Sequence, residues 1–178
     1  MLHTVELKQK VGIYEFKYPY FEKLNDELEK DIRSSGDVQN KNTSCRCYMT
    51  SFNMRTPSFK KLMDYIIACL NDHGNFNELW LGSWEVGNIW GLIYRENEYA
   101  LTHHHFPATY SFVYYVRCPE GSAPIVFNDY EFHPSEGDIL IFPSLVEHRV
   151  PQHKINKERI IVSGNLYIST EYVKNKFS

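Results

Sequence analysis

Thr102-His103-His104-His105 is followed, forty-three positions after its last residue, by His148 and eleven positions further on by Arg159. On a β-strand successive side chains alternate faces, so read as a strand this run projects His103 and His105 to one side and His104 to the other. Neutral imidazole suits iron, zinc, copper and nickel. Two imidazoles from one strand and a third from His148 would leave coordination positions open, the arrangement of a catalytic rather than a structural metal site. His103, His105 and His148 are therefore the candidate metal ligands. A guanidinium pairs bidentately with carboxylate, so Arg159 is the candidate anion clamp behind the metal.

Outward from this run the chain from Glu78 onward loses helical periodicity and shows short β-rich segments between turn signals. Strands are predicted over Trp84–Tyr94, Tyr99–His105, Tyr110–Arg117, Pro124–Asn128, Asp138–Phe142, Glu147–Val150 and Arg159–Ile168. Seven strands at such intervals imply a sandwich or jelly roll. The first third reads differently. Tyr20 to about Arg33 carries Phe21, Leu24, Leu28 and Ile32 at helical spacing and stops at Ser34-Ser35-Gly36. Gly36 to Asn53 is polar and reads as a long loop, with a short strand around Cys47-Tyr48-Met49. A second helix has Thr56 as N-cap, Pro57 at its first position, a stripe of Phe59, Leu62, Met63, Ile66, Ile67 and Leu70, and an end near His73-Gly74.

The expected architecture is mostly β with flanking α-helices, a jelly roll in a single domain of 178 residues. Residues 1–77 form a helical buttress and loop, and residues 78–178 the jelly-roll core.

Hydrophobic content of 43% and aromatic content of 15% are those of a chain able to bury a core. The net charge of −3 is dispersed, which points away from nucleic acid and towards a small-molecule or peptide substrate. No apolar run approaches the roughly 20 residues of a membrane span, and the start lacks a secretory apolar core. A cytoplasmic protein is expected. Cys45, Cys47, Cys69 and Cys118 then read as reduced thiols.

Taken in order, His103 to His105, Ser111-Phe112-Val113-Tyr114-Tyr115-Val116, Glu136-Gly137-Asp138-Ile139-Leu140-Ile141-Phe142-Pro143-Ser144 before His148, and Glu158-Arg159-Ile160 resemble the 2-oxoglutarate- and Fe(II)-dependent oxygenases. The resemblance is to their prolyl-hydroxylase-like branch, especially its small bacterial and phage members, over about Trp84 to Ile168. It implies a double-stranded β-helix with Fe(II) at its mouth, 2-oxoglutarate as cosubstrate and O2 as oxidant, and hydroxylation of a substrate that the sequence does not identify, the relatives acting on amino-acid side chains, with release of succinate and CO2. His103 matches the first ligand and His148 the distal one. His105 stands where most members carry a carboxylate, and a site of two histidines plus water is the alternative.

The resemblance also implies that Arg159 holds the distal carboxylate of 2-oxoglutarate with the help of Tyr115, and that Tyr94 approaches its metal-bound end. Alternation along the last strand puts Ser163 and Asn165 on the face of Arg159, as candidates for substrate contact or as polar residues at the core edge. Two readings compete. One is a cupin-type three-histidine dioxygenase that uses no 2-oxoglutarate; cupins usually add a glutamate about four residues after the paired histidines, where this chain has Phe106, Pro107, Ala108 and Thr109. The other is a non-catalytic binding module on the same scaffold.

Overall fold

The computed structural model describes residues 10–38, 43–72 and 84–169. In chain order the elements are β1 (Tyr14–Lys17), α1 (Phe21–Ser34), β2 (Cys45–Arg46), β3 (Tyr48–Met49), α2 (Pro57–Asp72), β4 (Trp84–Tyr94) and β5 (Tyr99–His103). There follow β6 (Tyr110–Arg117), β7 (Ile125–Phe127), β8 (Tyr130–Phe132), β9 (Asp138–Pro143), β10 (His148–Val150) and β11 (Arg159–Ile168).

The strands form a six-stranded sheet of order β1-β9-β6-β11-β4-β3 and a five-stranded sheet of order β2-β5-β10-β7-β8. From β4 onward the pairing is nested and antiparallel. β7 pairs with β8, β6 with β9, β5 with β10 and β4 with β11. A long hairpin wound over itself in this way is a jelly roll, the double-stranded β-helix that the sequence leads one to expect.

The larger sheet is covered on both faces, which explains why its strands read as continuous apolar runs instead of alternating ones. One set of positions, including Trp90, Leu92, Tyr94, Val113, Tyr115, Leu140, Phe142 and Ile161, packs with Ala100, Ile125, Phe127 and Val150 of the smaller sheet. The alternate positions, Ile89, Ile93, Phe112, Tyr114, Val116, Ile139, Ile141, Ile160 and Val162, meet Leu24, Leu28 and Ile32 of α1 and Phe59, Leu62, Ile66 and Leu70 of α2. Both helices are thus pinned by the apolar stripe visible in their sequences.

Their ends follow local chemistry. Beyond α1 the chain turns at Gly36, whose φ of 76° lies in the left-handed region that glycine enters without a Cβ clash. The carbonyl of Thr56 accepts the first helical bond of α2 from Lys60 N–H at 2.9 Å, and Pro57 opens the helix where a missing N–H costs nothing. The expected end at His73-Gly74 lies outside the described residues.

Three strands go beyond the sequence reading. β1 alternates half-buried and exposed residues on the edge of the larger sheet, while β2 and β8 have two and three residues. Segments so short have no periodicity of their own, and they are strands because β9, β5 and β7 offer them an edge. The first third of the chain accordingly adds strands to both sheets as well as the two helices. The expected loop from Gly36 contains β3 at Tyr48–Met49, which pairs with β4. No helix among the described residues is long and apolar enough to cross a membrane.

Gly164, in the middle of β11, lies against the Phe112 ring, and a Cβ there would also sit 2.8 Å from the backbone oxygen of Asn88. The carbonyl belongs to the paired strand and cannot swing away. Gly164→Ala is expected to destabilise the protein by about 1–3 kcal/mol, the usual cost of overpacking. Urea denaturation should show this as a lower midpoint at unchanged slope.

Candidate metal centre

The last residue of β5, His103, and the first of β10, His148, are Cα partners across the smaller sheet. Directly opposed residues bring their side chains together, and here the two imidazole centroids are 4.4 Å apart. A distant histidine therefore meets the paired ones through strand register.

The expectation that the strand continues to His105 is corrected. β5 ends at His103, and the chain then turns. His105 N–H donates to the Ser144 carbonyl at 2.8 Å, its own carbonyl accepts from Ala108 N–H at 3.0 Å, and Ser144 N–H donates to the Thr109 carbonyl at 3.2 Å. The turn after β9 thus clamps the turn after β5. This clamp keeps the His105 ring with the other two, 5.0 Å from His103 and 5.1 Å from His148 between centroids. One nitrogen from each of the three rings lies within 4.8 Å of the others. His104, just past the end of β5, is exposed.

Two backbone carbonyls set the tautomers. Leu101 O is 2.7 Å from His103 Nδ1 and Val146 O is 3.0 Å from His148 Nδ1. A carbonyl can only accept, so each Nδ1 carries the proton and each Nε2 lone pair is left for a ligand bond. Burial also holds the rings neutral. Desolvation lowers the pKa of His103, and desolvation together with the neighbouring imidazoles pushes His148 down to about 4 and His105 to about 3. Neutral nitrogen donors with open positions fit a divalent transition metal.

Arg159 begins β11 on the inner face and is completely buried. Its guanidinium faces the rings of Tyr94 at 5.1 Å and Tyr115 at 5.3 Å. Neither Nε nor Nη1 has a hydrogen-bond partner, and the buried Tyr115 hydroxyl has none either. No acidic side chain among the described residues forms an ion pair with Arg159. Desolvation raises the Tyr115 pKa well above its ordinary value, so the hydroxyl stays a donor. Several donors and one uncompensated positive charge converge where a carboxylate would satisfy them.

One inner cavity joins the two ends of this arrangement, lined by His103, His105 and His148 at one end, Arg159 at the other, and apolar walls including Leu92, Val113, Ile125 and Ile161. Ser163 also lines it. Asn165 instead lines a second, outer cavity that shares the paired histidines with the first. Tyr94, which the resemblance sets near the metal, packs on the Arg159 guanidinium because the two residues are cross-strand partners. Trp90, Cys45 and Ser144 are participants that the sequence reading passed over. Trp90 and Cys45 line both cavities, and Ser144 supplies the clamp on His105. Each looks like an ordinary strand or turn residue until the sheets are assembled.

No family model and no curated protein matches the sequence. The structure, however, superposes on solved oxygenases over most of its length. The viral collagen prolyl hydroxylase vCPH of Paramecium Bursaria Chlorella virus-1, in its 2OG complex, aligns with a TM-score of 0.68 and 14% identity over 86% of this chain and 94% of that one. A Pseudomonas putida prolyl-4-hydroxylase gives 0.69 and 15% over 89% and 94%. HygX of Streptomyces hygroscopicus, with nickel, 2-oxoglutarate and hygromycin B bound, gives 0.69 and 10% over 90% and 84%. At such identities the likeness establishes the jelly-roll fold shared with these enzymes.

Two measurements check the site. His103→Ala and His148→Ala should abolish Fe(II) binding in an anaerobic titration while His104→Ala leaves it nearly intact; equal losses at all three positions would contradict the geometry. The metal-free protein should also be acid-labile. The folded-state pKa values of His105 and His148, about 3 and 4, lie below the unfolded value of about 6.5, so below that value the unfolded chain binds more protons. Stability present at pH 7 should be lost as pH falls from about 6.5 through 4, measured by urea denaturation in the presence of a chelator.

Proposed function

We propose that this chain is a cytoplasmic, single-domain dioxygenase that uses Fe(II), 2-oxoglutarate and O2. It hydroxylates an amino-acid side chain, free or within a peptide, and releases succinate and CO2. The observation that carries this reading is the inner cavity, with three neutral imidazoles at one end and a buried, unpaired guanidinium at the other. 2-Oxoglutarate is a diacid whose keto-acid end chelates a metal and whose other end is a plain carboxylate. The free thiols Cys45, Cys47, Cys69 and Cys118 are consistent with a reducing compartment.

His103, His105 and His148 would hold the iron, and Arg159 with the Tyr115 hydroxyl would bind the distal carboxylate. When bound, the iron and cosubstrate supply the oxidising chemistry through oxidative decarboxylation. The chain supplies orientation. Backbone carbonyls fix the His103 and His148 rings, the Ser144 clamp holds the His105 backbone, and two tyrosine rings keep the guanidinium in place. Apolar walls between the two ends exclude water and strengthen the charge pairing. The three-histidine ligand set also suits a cupin-type dioxygenase without 2-oxoglutarate, but that chemistry leaves the buried Arg159 unexplained.

Anaerobic addition of 2-oxoglutarate to the Fe(II) protein should give the weak visible band of a chelated keto acid, and succinate should form in air. Absence of both would favour the cupin or binding-module reading. Arg159→Ala should weaken cosubstrate binding by about 3–5 kcal/mol, because an enclosed carboxylate would lose its partner. Arg159→Met should raise the thermal midpoint of the cosubstrate-free protein while abolishing 2-oxoglutarate binding, since it removes an uncompensated buried charge. His105→Ala should bind iron measurably more weakly than wild type, and His105→Asp should retain part of the affinity through its shorter oxygen donor. Wild-type affinity and turnover in His105→Ala would establish the two-histidine site with water.

A further inference from the structure

Next to the start of β11 stands another imidazole, that of His153, which is 0% exposed and is not part of the inner cavity wall. Its two ring nitrogens have unlike partners. Nε2 is 2.7 Å from the Lys157 carbonyl, and Nδ1 is 3.3 Å from the Ala123 backbone nitrogen. A carbonyl only accepts and a backbone N–H only donates, so Nε2 carries the proton and Nδ1 offers its lone pair. The ring is a neutral connector, a donor on one side and an acceptor on the other, with neither nitrogen left for a metal.

The segments that it joins are those next to the candidate carboxylate pocket. Tyr94 ends β4, and the turn that follows is bonded twice to the His153 backbone. Asn97 N–H donates to the His153 carbonyl at 2.7 Å, and His153 N–H donates to the Glu98 carbonyl at 2.9 Å. Tyr115 stands near the end of β6, and the connection onward to β7 presents the Ala123 N–H to Nδ1. Arg159 opens β11, and Lys157, two residues earlier, presents its carbonyl to Nε2. Three strands thus carry one member of the pocket each, and the segment adjoining each of them is bonded to this one residue. Ala123 also packs in the same apolar cluster as Tyr94 and Tyr115.

A carboxylate clamp depends on the spacing of its donors, because charged hydrogen bonds weaken steeply once distance and angle are wrong. Glu158 ties the same region together through Arg33 and Arg95, but these ion pairs are partly exposed and worth little. The His153 ring is enclosed, so water cannot replace its bonds. We propose that His153 is the positioning residue of the carboxylate pocket, its ring setting the spacing of Arg159, Tyr115 and Tyr94 and with it the preference for a ligand bearing a distal carboxylate. The inference rests on the oxygenase reading above and adds a residue to it. His153 acts through its backbone partners and takes no part in proton transfer.

The test uses the full chain loaded anaerobically with Fe(II) and follows the visible band of the chelated keto acid. The ligands are 2-oxoglutarate and 2-oxopentanoate, a keto acid of the same length that ends in a methyl group instead of the distal carboxylate. The amide nitrogen of glutamine reaches about as far as Nε2, so His153→Gln keeps a donor for Lys157. The amide of asparagine stops at the distance of Nδ1, so His153→Asn keeps an acceptor for Ala123 and loses Lys157. His153→Asn should weaken 2-oxoglutarate binding about tenfold or more, and His153→Gln should recover most of that loss. Affinities for Fe(II) and for 2-oxopentanoate should be unchanged in both. Wild-type 2-oxoglutarate affinity in His153→Asn, no recovery in His153→Gln, or an equal fall in Fe(II) affinity would overturn the proposal and leave His153 a purely structural residue.

Should both variants fail to fold, wild-type protein labelled with 15N-histidine and loaded with Zn(II), a diamagnetic stand-in, decides the matter. His153 is then the slowly exchanging Nε2–H signal that Zn(II) itself leaves in place, since His103 and His148 carry their protons on Nδ1. That signal should shift saturably with 2-oxoglutarate and stay in place with 2-oxopentanoate; an equal shift with both, or none with either, would overturn the proposal. The two levels remain separable. If the wild-type Fe(II) protein binds 2-oxoglutarate and the His153 readouts do not respond, only the positioning role fails; if it does not bind 2-oxoglutarate, the oxygenase reading fails with it.

Discussion

A guanidinium enclosed between two tyrosine rings, with no ion-pair partner among the described residues, is the constraint around which the inner face of this protein is arranged. β11 runs between β4 and β6 in the middle of the larger sheet, so an inward side chain at its start has no route to bulk water. Arg159 occupies that position at 0% exposure. Its aromatic neighbours offset part of the desolvation through their ring faces, but a ring face does not replace hydrogen bonds to Nε and Nη1. The neighbouring acid cannot help. Glu158 is directed to Arg33 at 2.5 Å and Arg95 at 3.0 Å, and these cations lower its pKa. The local anion thus staples α1 and the β4–β5 turn to the start of β11 while the buried cation stays uncompensated.

The opposite end of the cavity is built on the complementary principle, neutrality. Three imidazoles kept uncharged by burial present lone pairs without contributing any negative charge. A divalent metal there would retain its full charge until an anionic ligand arrived. A 2-oxoglutarate dianion would meet cationic demand at both ends, the metal on one side and Arg159 on the other, more strongly than in a site whose third ligand is a carboxylate. The outer cavity carries no fixed charge among its described residues.

Rigidity comes from the far face of the larger sheet. α1 and α2 bury their apolar stripes against the strands that carry Tyr94, Tyr115 and Arg159. The amide of Asn25, fully buried on α1, donates to the Val116 carbonyl at 2.8 Å and accepts from the Tyr114 hydroxyl at 2.5 Å. Both contacts tie the buttress to β6, the strand next to the one bearing Arg159. The helices do not touch the candidate site, yet they hold the sheet that forms it.

The sequence by itself determined which residues point inward and what chemistry they can perform. Side-chain alternation is a local property of the backbone, so the double-buried runs Ser111–Val116 and Ile139–Phe142, the helical stripes, and the common face of Arg159 and Ser163 are legible one segment at a time. The imidazoles and the guanidinium likewise announce metal and carboxylate chemistry through their functional groups alone. Register is a different kind of quantity, set by hydrogen bonds between strands far apart in the chain. Only the tertiary structure decided that His148 stands opposite His103, that Tyr94 stands opposite Arg159, and that Asn165 lines a different cavity from Ser163. The same holds for His105, which keeps its place through a hydrogen bond from its own backbone to Ser144 after the strand has ended. The ring of His153 gains meaning only from what surrounds it, because the amide and the carbonyl that it joins belong to connections that no single segment can specify.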